Sequence, residues 1–178
     1  MNETILKATP EIDSSHDVLR IADVNPASVC SLLGQFGLSL KMVASGAEIP
    51  GSFWGEEEAG LIGNELLVRD DTPLHSILHE ACHYVCLDET RRGGLHTDAG
   101  GDYDEENAVC YLQVLLADQI QGFGQRRMLQ DMDNWGYTFR LGSAQAWFEN
   151  DADDAFEWLL QRQLVNKHQQ PCWTLRKD

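Results

Sequence analysis

The chain has 178 residues, and its 13 Lys and Arg residues against 29 Asp and Glu residues give a formal net charge of −16. A field of that sign repels phosphate backbones, so we expect no direct nucleic-acid partner. The five cysteines are an odd number without a paired C-x-x-C arrangement, which argues against a disulfide framework and against a four-cysteine zinc site. The length suits one domain, 1–178, whose core is large enough to fold without covalent cross-links.

No segment of the sequence has the features of an export signal or a membrane span. The first residues lack a basic region followed by an apolar one, and no stretch approaches 18 consecutive apolar residues. The cysteine pattern is typical of reduced thiols. We therefore expect a cytoplasmic protein without a membrane partner.

The first predicted elements are a helix and a small sheet. Residues 1–16 are polar and aperiodic, and we expect a flexible arm. A helix opens at Asn25-Pro26 and stops at Gly37. Three short extended stretches follow, at 38–44, 59–62 and 65–69. The Gly-Asn turn between the last two predicts an antiparallel hairpin, and hence a small, mostly antiparallel sheet.

A second helix is well defined at its start. Thr72 suits an N-cap, and Pro73 suits the first helical position, where its missing N–H costs nothing. Apolar residues then recur at the spacing of a core-facing stripe: Leu78, Ala81, Cys82 and Val85. His75, His79 and His83 fall on an adjacent, less apolar face, with His75 at the rim of the expected cleft.

This helix carries the H-E-x-x-H motif, His79-Glu80-Ala81-Cys82-His83. Histidines four apart on a helix are separated by about 6 Å along the axis, so both imidazoles can reach one tetrahedral cation. The glutamate between them is placed to act on a metal-activated water. The motif therefore predicts Zn²⁺ bound by His79 and His83, with Glu80 as general base.

The rest of the chain is predicted to contain a loop and further helices. A glycine-rich, acidic stretch, 91–103, reads as a loop over the site. The next helix begins near Asp104, and apolar stripes typical of core helices fill 121–178.

Four residues of this loop are candidates for supporting roles. His96 and Tyr103 have side chains that can donate a hydrogen bond to an oxyanion. Asp98 and Asp102 have carboxylates that can orient a ligand histidine.

A catalytic zinc site usually takes three protein ligands, so one more is required. A third histidine at the short metzincin spacing would stand at position 89, which is Glu89. The next helix opens with Glu105 and Glu106, and a carboxylate presented from a second helix is the glutamate-zincin arrangement. Spacing alone leaves both glutamates open.

The order of helix, small sheet, H-E-x-x-H helix, glycine-rich loop and second helix resembles the ImmA/IrrE-type metallopeptidases. The family's second helix reads roughly E-x-x-A-[ND]-x-F-A-x-x-L-L, and the matching residues are Glu105, Ala108, Tyr111, Leu115 and Leu116. Val109 and Leu112 depart from the pattern, so Glu106 stays an alternative ligand.

The resemblance covers about 26–120, the expected catalytic core. It implies an α+β, zincin-like fold, a zinc peptidase acting on a peptide or protein substrate, and Glu105 as third ligand. It also implies that the strand at 65–69 pairs with an extended substrate.

An alternative hypothesis treats the chain as a metal-stabilised, non-catalytic interaction module. The charge of −16 motivates it, because such a field steers a basic protein partner toward the surface. Four protein ligands without an open position, for example with both Glu105 and Asp102 bound, would favour this hypothesis over the peptidase.

Overall fold

The structure, a computed structural model, describes residues 17–53, 55–96 and 98–178, and the predicted arm lies outside these residues. They form an α+β architecture of seven α-helices and three β-strands. In chain order the elements are α1 (Pro26–Gly34), β1 (Ser39–Met42), β2 (Gly60–Ile62), β3 (Glu65–Val68), α2 (Leu74–Cys86), α3 (Glu89–Gly93), α4 (Tyr103–Leu116), α5 (Gly124–Trp135), α6 (Ala144–Asn150) and α7 (Asp153–Gln161). None of these helices has the length and apolar character that crossing a bilayer requires.

The sheet is mixed, whereas the sequence predicted a mostly antiparallel one. β3 lies in the centre, with β1 parallel to it on one side and β2 antiparallel on the other. Leu66 therefore stands opposite both Leu40 and Leu61. The local turn between β2 and β3 predicts their hairpin. No local signal predicts the partner of β1, because the connection 43–59 carries the chain past the position that β3 later fills.

Helix α2 is enclosed by the rest of the molecule. Every residue of it is buried except His79, which is partly exposed. The helix begins one residue later than predicted: Pro73 is the N-cap, and the Thr72 hydroxyl instead accepts a hydrogen bond from the Arg69 N–H at 2.9 Å. α2 packs against α4, which packs in turn against α5 and α7. Its polar side chains are therefore held away from bulk water, where they need partners.

The residues after α7, which we call the C-terminal strap (162–178), run back across the end of α2. The Arg176 N–H donates to the Val85 carbonyl at 3.0 Å, and its guanidinium donates to the Cys86 carbonyl at 3.2 Å. The guanidinium of Arg92 donates to the Arg176 carbonyl at 2.7 Å. The strap thus satisfies carbonyls that a helix end leaves without intrahelical partners.

All five cysteines are free thiols. Cys82, Cys86 and Cys110 are buried, Cys172 is partly buried and Cys30 is exposed. Burial raises the pKa of Cys82 and of Cys86, so both stay protonated and inert near neutral pH.

Candidate metal centre

Two turns of α2 and the first turn of α4 meet at one point. The Nε2 atoms of His79 and His83 lie 3.1 Å apart, and the Glu106 carboxylate oxygens lie 3.1 Å from the first and 3.2 Å from the second. A tetrahedral cation with bonds of about 2.0–2.1 Å separates its ligand atoms by roughly 3.3 Å. These three residues, which we call the metal group, could therefore hold a metal ion.

Gln113 fixes the orientation of the first histidine. Its Oε1 accepts a hydrogen bond from the Nδ1–H of His79 at 2.7 Å, and its own NH₂ points the other way, toward the His75 carbonyl at 3.4 Å. With the proton on Nδ1, the Nε2 lone pair faces the metal group. No sequence motif pointed to Gln113, although it stands seven residues after Glu106 and so on the same face of α4.

Glu105, the ligand that the family resemblance implies, lies outside the metal group. Its carboxylate is bound by Arg91 through two contacts of 2.8 and 2.9 Å, and by Arg176 of the strap at 3.2 Å. The side chain is 5% exposed. Successive residues of a helix point about 100° apart, so Glu106, the alternative, faces the histidines while Glu105 faces the arginines.

The glycine-rich loop closes over the Glu105 carboxylate. Gly101 has φ +126°, and a Cβ there would stand 2.8 Å from Glu105 Oε1. Both the backbone conformation and the close approach therefore require glycine. The loop also contributes Gly100, Gly101 and Asp98 to a small cavity of about 220 Å³ beside the metal group.

In the metal group, burial shifts the pKa of a side chain in one direction, and its neighbours shift that pKa in the other. Burial raises the pKa of Glu106, but hydrogen bonds from His79 and His83 outweigh it, and the pKa is lowered. Burial lowers the pKa of His79, but the groups around it, including the Glu106 carboxylate, raise it well above the usual value. A cation that binds Nε2 of His79 must displace any proton held there.

Glu80 lies beside the metal group. It is 7% exposed, and it lines both the small cavity and a larger one of about 610 Å³. Burial raises the pKa of its carboxyl. A carboxylate of raised basicity at the wall of two cavities can exchange a proton with a bound molecule.

The larger cavity has walls from the C-terminal half of the chain, which the sequence analysis assigned to the core. Its aromatic lining comes from the end of α5, the segment after it and α6: Trp135, Tyr137, Phe139 and Trp147. The described site therefore extends beyond the expected catalytic core of 26–120. Helical stripes did not distinguish a residue that faces a cavity from one that faces another helix.

His75 is buried, with 1% exposure, and not at the rim of the cleft as predicted. Its Nδ1 lies 3.3 Å from the Tyr137 hydroxyl, and its ring packs between Trp135 and Tyr137. Burial lowers its pKa to about 3, so the ring is neutral at physiological pH. His75 is thus a packing residue behind the cavity wall.

The four loop candidates are spread around the site. His96 is exposed at the edge of the sheet, where its backbone pairs with Ile62. Asp102 is the N-cap of α4 and accepts the Glu105 N–H at 2.9 Å, and no hydrogen bond within the described chain joins it to His79 or His83. Asp98 lines the small cavity, and Tyr103, 78% exposed, lies at the larger one.

The predicted pairing of a substrate with the strand at 65–69 conflicts with the sheet topology. β3 already has β1 on one side and β2 on the other, so it has no free edge. The outer side of β2 is partly occupied by bridges from Ser52 and His96. An extended peptide would have to bind elsewhere along the cavities.

A comparison of the chain with protein-family models, curated proteins and solved structures finds no match. The resemblance to ImmA/IrrE-type peptidases therefore stays a prediction from the sequence.

Proposed function

We propose that the chain is a zinc-dependent metallopeptidase in which His79, His83 and Glu106 hold the ion and Glu80 is the general base. The observation that carries this proposal is the metal group itself, beside a cavity of about 610 Å³: the two histidine Nε2 atoms lie 3.1 Å apart, and each lies 3.1–3.2 Å from one oxygen of the Glu106 carboxylate. A zinc ion in that position supplies Lewis-acid activation of water and of a carbonyl.

The protein's own residues would orient the ion and move protons. Gln113 holds the His79 ring with Nε2 toward the group. Glu80 takes a proton from the attacking water and returns it to the leaving amine, a role favoured by the raised pKa of its carboxyl. The two cavities that Glu80 lines provide room for a peptide substrate next to the metal group.

The non-catalytic module has less support. Structural zinc sites are usually closed by four protein ligands, whereas the described part of the chain supplies three to this group. Asp102, which the alternative hypothesis gave as an example of a further ligand, caps α4. A three-ligand site next to a cavity is the arrangement of catalytic zinc.

We further propose a zincin-like core, with α2 as the motif helix and α4 as the carboxylate-bearing helix. The support is the sequence motif together with the placement of Glu106 against both histidines. A closer relation to the ImmA/IrrE-type enzymes has weaker support, because Glu106 stands one position after the glutamate of the family pattern.

Hydrolysis of a peptide library by zinc-loaded protein tests the proposal, with Glu80→Gln as the matched variant. Glu80→Gln should keep one zinc per chain and lose activity by about 10²–10⁴-fold, because the base is removed and the ligands are not. Equal cleavage by both proteins would point to a contaminating protease, and no cleavage by zinc-loaded wild type would reject the proposed activity.

A further inference from the structure

The larger cavity combines aromatic walls with carboxylates. Trp135, Phe139 and Trp147 line it together with Asp104 from the first turn of α4 and Asp154 from the first turn of α7. Asp104 and Asp154 are exposed to solvent. The cavity therefore offers an apolar surface with negative charge beside it.

The described lining residues carry little positive charge to balance these carboxylates. Arg140 and His79 are the basic residues among them. The Arg140 guanidinium is bound to Asp151 through two hydrogen bonds, one of 2.9 Å, and His79 belongs to the metal group. No ion pair within the described chain joins Asp104 or Asp154 to a cation. The Arg140 guanidinium is close enough to act on Asp154 electrostatically, but neither Asp104 nor Asp154 is held in an ion pair, so both carboxylates can meet a cation from a ligand.

Glu80 lines the same cavity from α2. The residue is 7% exposed, and no hydrogen bond within the described chain engages its carboxylate. A ligand in this cavity can therefore contact the Glu80 carboxylate as well as the aspartates of α4 and α7.

We propose that this cavity binds a long cationic side chain, that of lysine or arginine, from a peptide substrate. The inference rests on the proposed function, and it names the residue that the peptidase prefers beside the scissile bond. The aliphatic stem packs on the aromatic wall, and the cationic group lies near Asp104 and Asp154 and over the ring faces. The net charge of −16 attracts such substrates and repels acidic ones.

Three blocked amino acids probe this preference without hydrolysis: N-acetyl-arginine amide, N-acetyl-leucine amide and N-acetyl-glutamate amide. Each is titrated into the full chain as purified, and binding is followed by tryptophan fluorescence and by NMR shifts of the indole N–H groups. The arginine probe should bind about tenfold more tightly than the leucine probe, and the glutamate probe most weakly. Equal or tighter binding of the leucine probe overturns the proposal.

Asp154→Asn and Asp153→Asn form a matched pair of variants. Both positions are exposed in the first turn of α7, and both changes remove one negative charge, but Asp153 is not among the residues that line the cavity. Asp154→Asn should weaken the arginine probe several-fold and leave the leucine probe unchanged, and Asp153→Asn should alter neither. Equal weakening by both variants would assign the preference to the general field and overturn the cavity site.

The outcomes for this inference and for the peptidase are separable. An arginine preference that depends on Asp154, without hydrolysis of any peptide, supports the cavity site and rejects the peptidase. Cleavage of a library without selection of lysine or arginine supports the peptidase and overturns the cationic cavity.

Discussion

Glu105 and Glu106 are neighbours in α4, yet the structure gives them opposite surroundings. Glu105 is buried between the guanidinium groups of Arg91 and Arg176, whereas Glu106 is 48% exposed and faces two histidines. Arginine is charged at any physiological pH, so the two guanidinium groups always balance the negative charge of the Glu105 carboxylate. Histidine can exchange its proton for a metal, so the Glu106 carboxylate remains available to a cation.

The two surroundings give the two glutamates different roles: Glu105 stabilises the fold, and Glu106 is available to bind a metal. Both residues have the same side chain, and both lie in a helix turn where acidic residues are favoured by the dipole. The partner groups, brought by α2, α3 and the C-terminal strap, decide which carboxylate has which role. Mutations at the two positions should therefore affect different properties of the protein.

The largest expected effect is on zinc content. Glu106→Gln should lose stoichiometric zinc, because an amide replaces a charged ligand, whereas Glu105→Gln should keep about one zinc per chain. Elemental analysis of untagged proteins, after their circular dichroism has been matched, measures this. Retention of zinc by Glu106→Gln and its loss from Glu105→Gln would reverse the assignment of the third ligand.

The free energy of unfolding should show the opposite dependence on the two residues: it should fall in Glu105→Gln and change little in Glu106→Gln. Glu105→Gln leaves two arginines without their carboxylate and should lower the free energy of unfolding by about 2–3 kcal/mol. This value is below the range for a fully buried ion pair, because Arg91 is 34% exposed. Urea denaturation of the metal-free proteins gives the value, with Glu106→Gln expected to change it by less than about 1 kcal/mol. A larger loss for Glu106→Gln would contradict the structural role assigned to Glu105.

A smaller effect should come from Gln113, which contacts the metal group through His79. Gln113→Ala removes the acceptor of the Nδ1–H and should weaken zinc binding by about 10–100-fold. Gln113→Glu keeps an acceptor at that position and should restore most of the affinity. The exposed Gln119→Ala is the control, and competition with a chromophoric chelator measures all four proteins. Wild-type affinity in Gln113→Ala would remove Gln113 from the site.

The sequence predicted the parts of this protein that depend on local periodicity. The α+β class, the three short strands and the burial of the stripe from Leu78 to Val85 are confirmed. The convergence of His79 and His83 follows from four-residue spacing on a single helix. One helix fixes these distances by itself, so no knowledge of the remaining chain was needed.

Only the tertiary structure decided which residues complete the site. The choice of Glu106 over Glu105 depends on the rotation of α4 against α2, and Arg176, 71 residues later, contributes to fixing it. Tyr137, Trp147 and Asp154 reach the cavity because α5, α6 and α7 fold back beside α4. Such contacts join residues far apart in sequence, and packing of whole side chains determines them, whereas helical periodicity is a property of each segment alone.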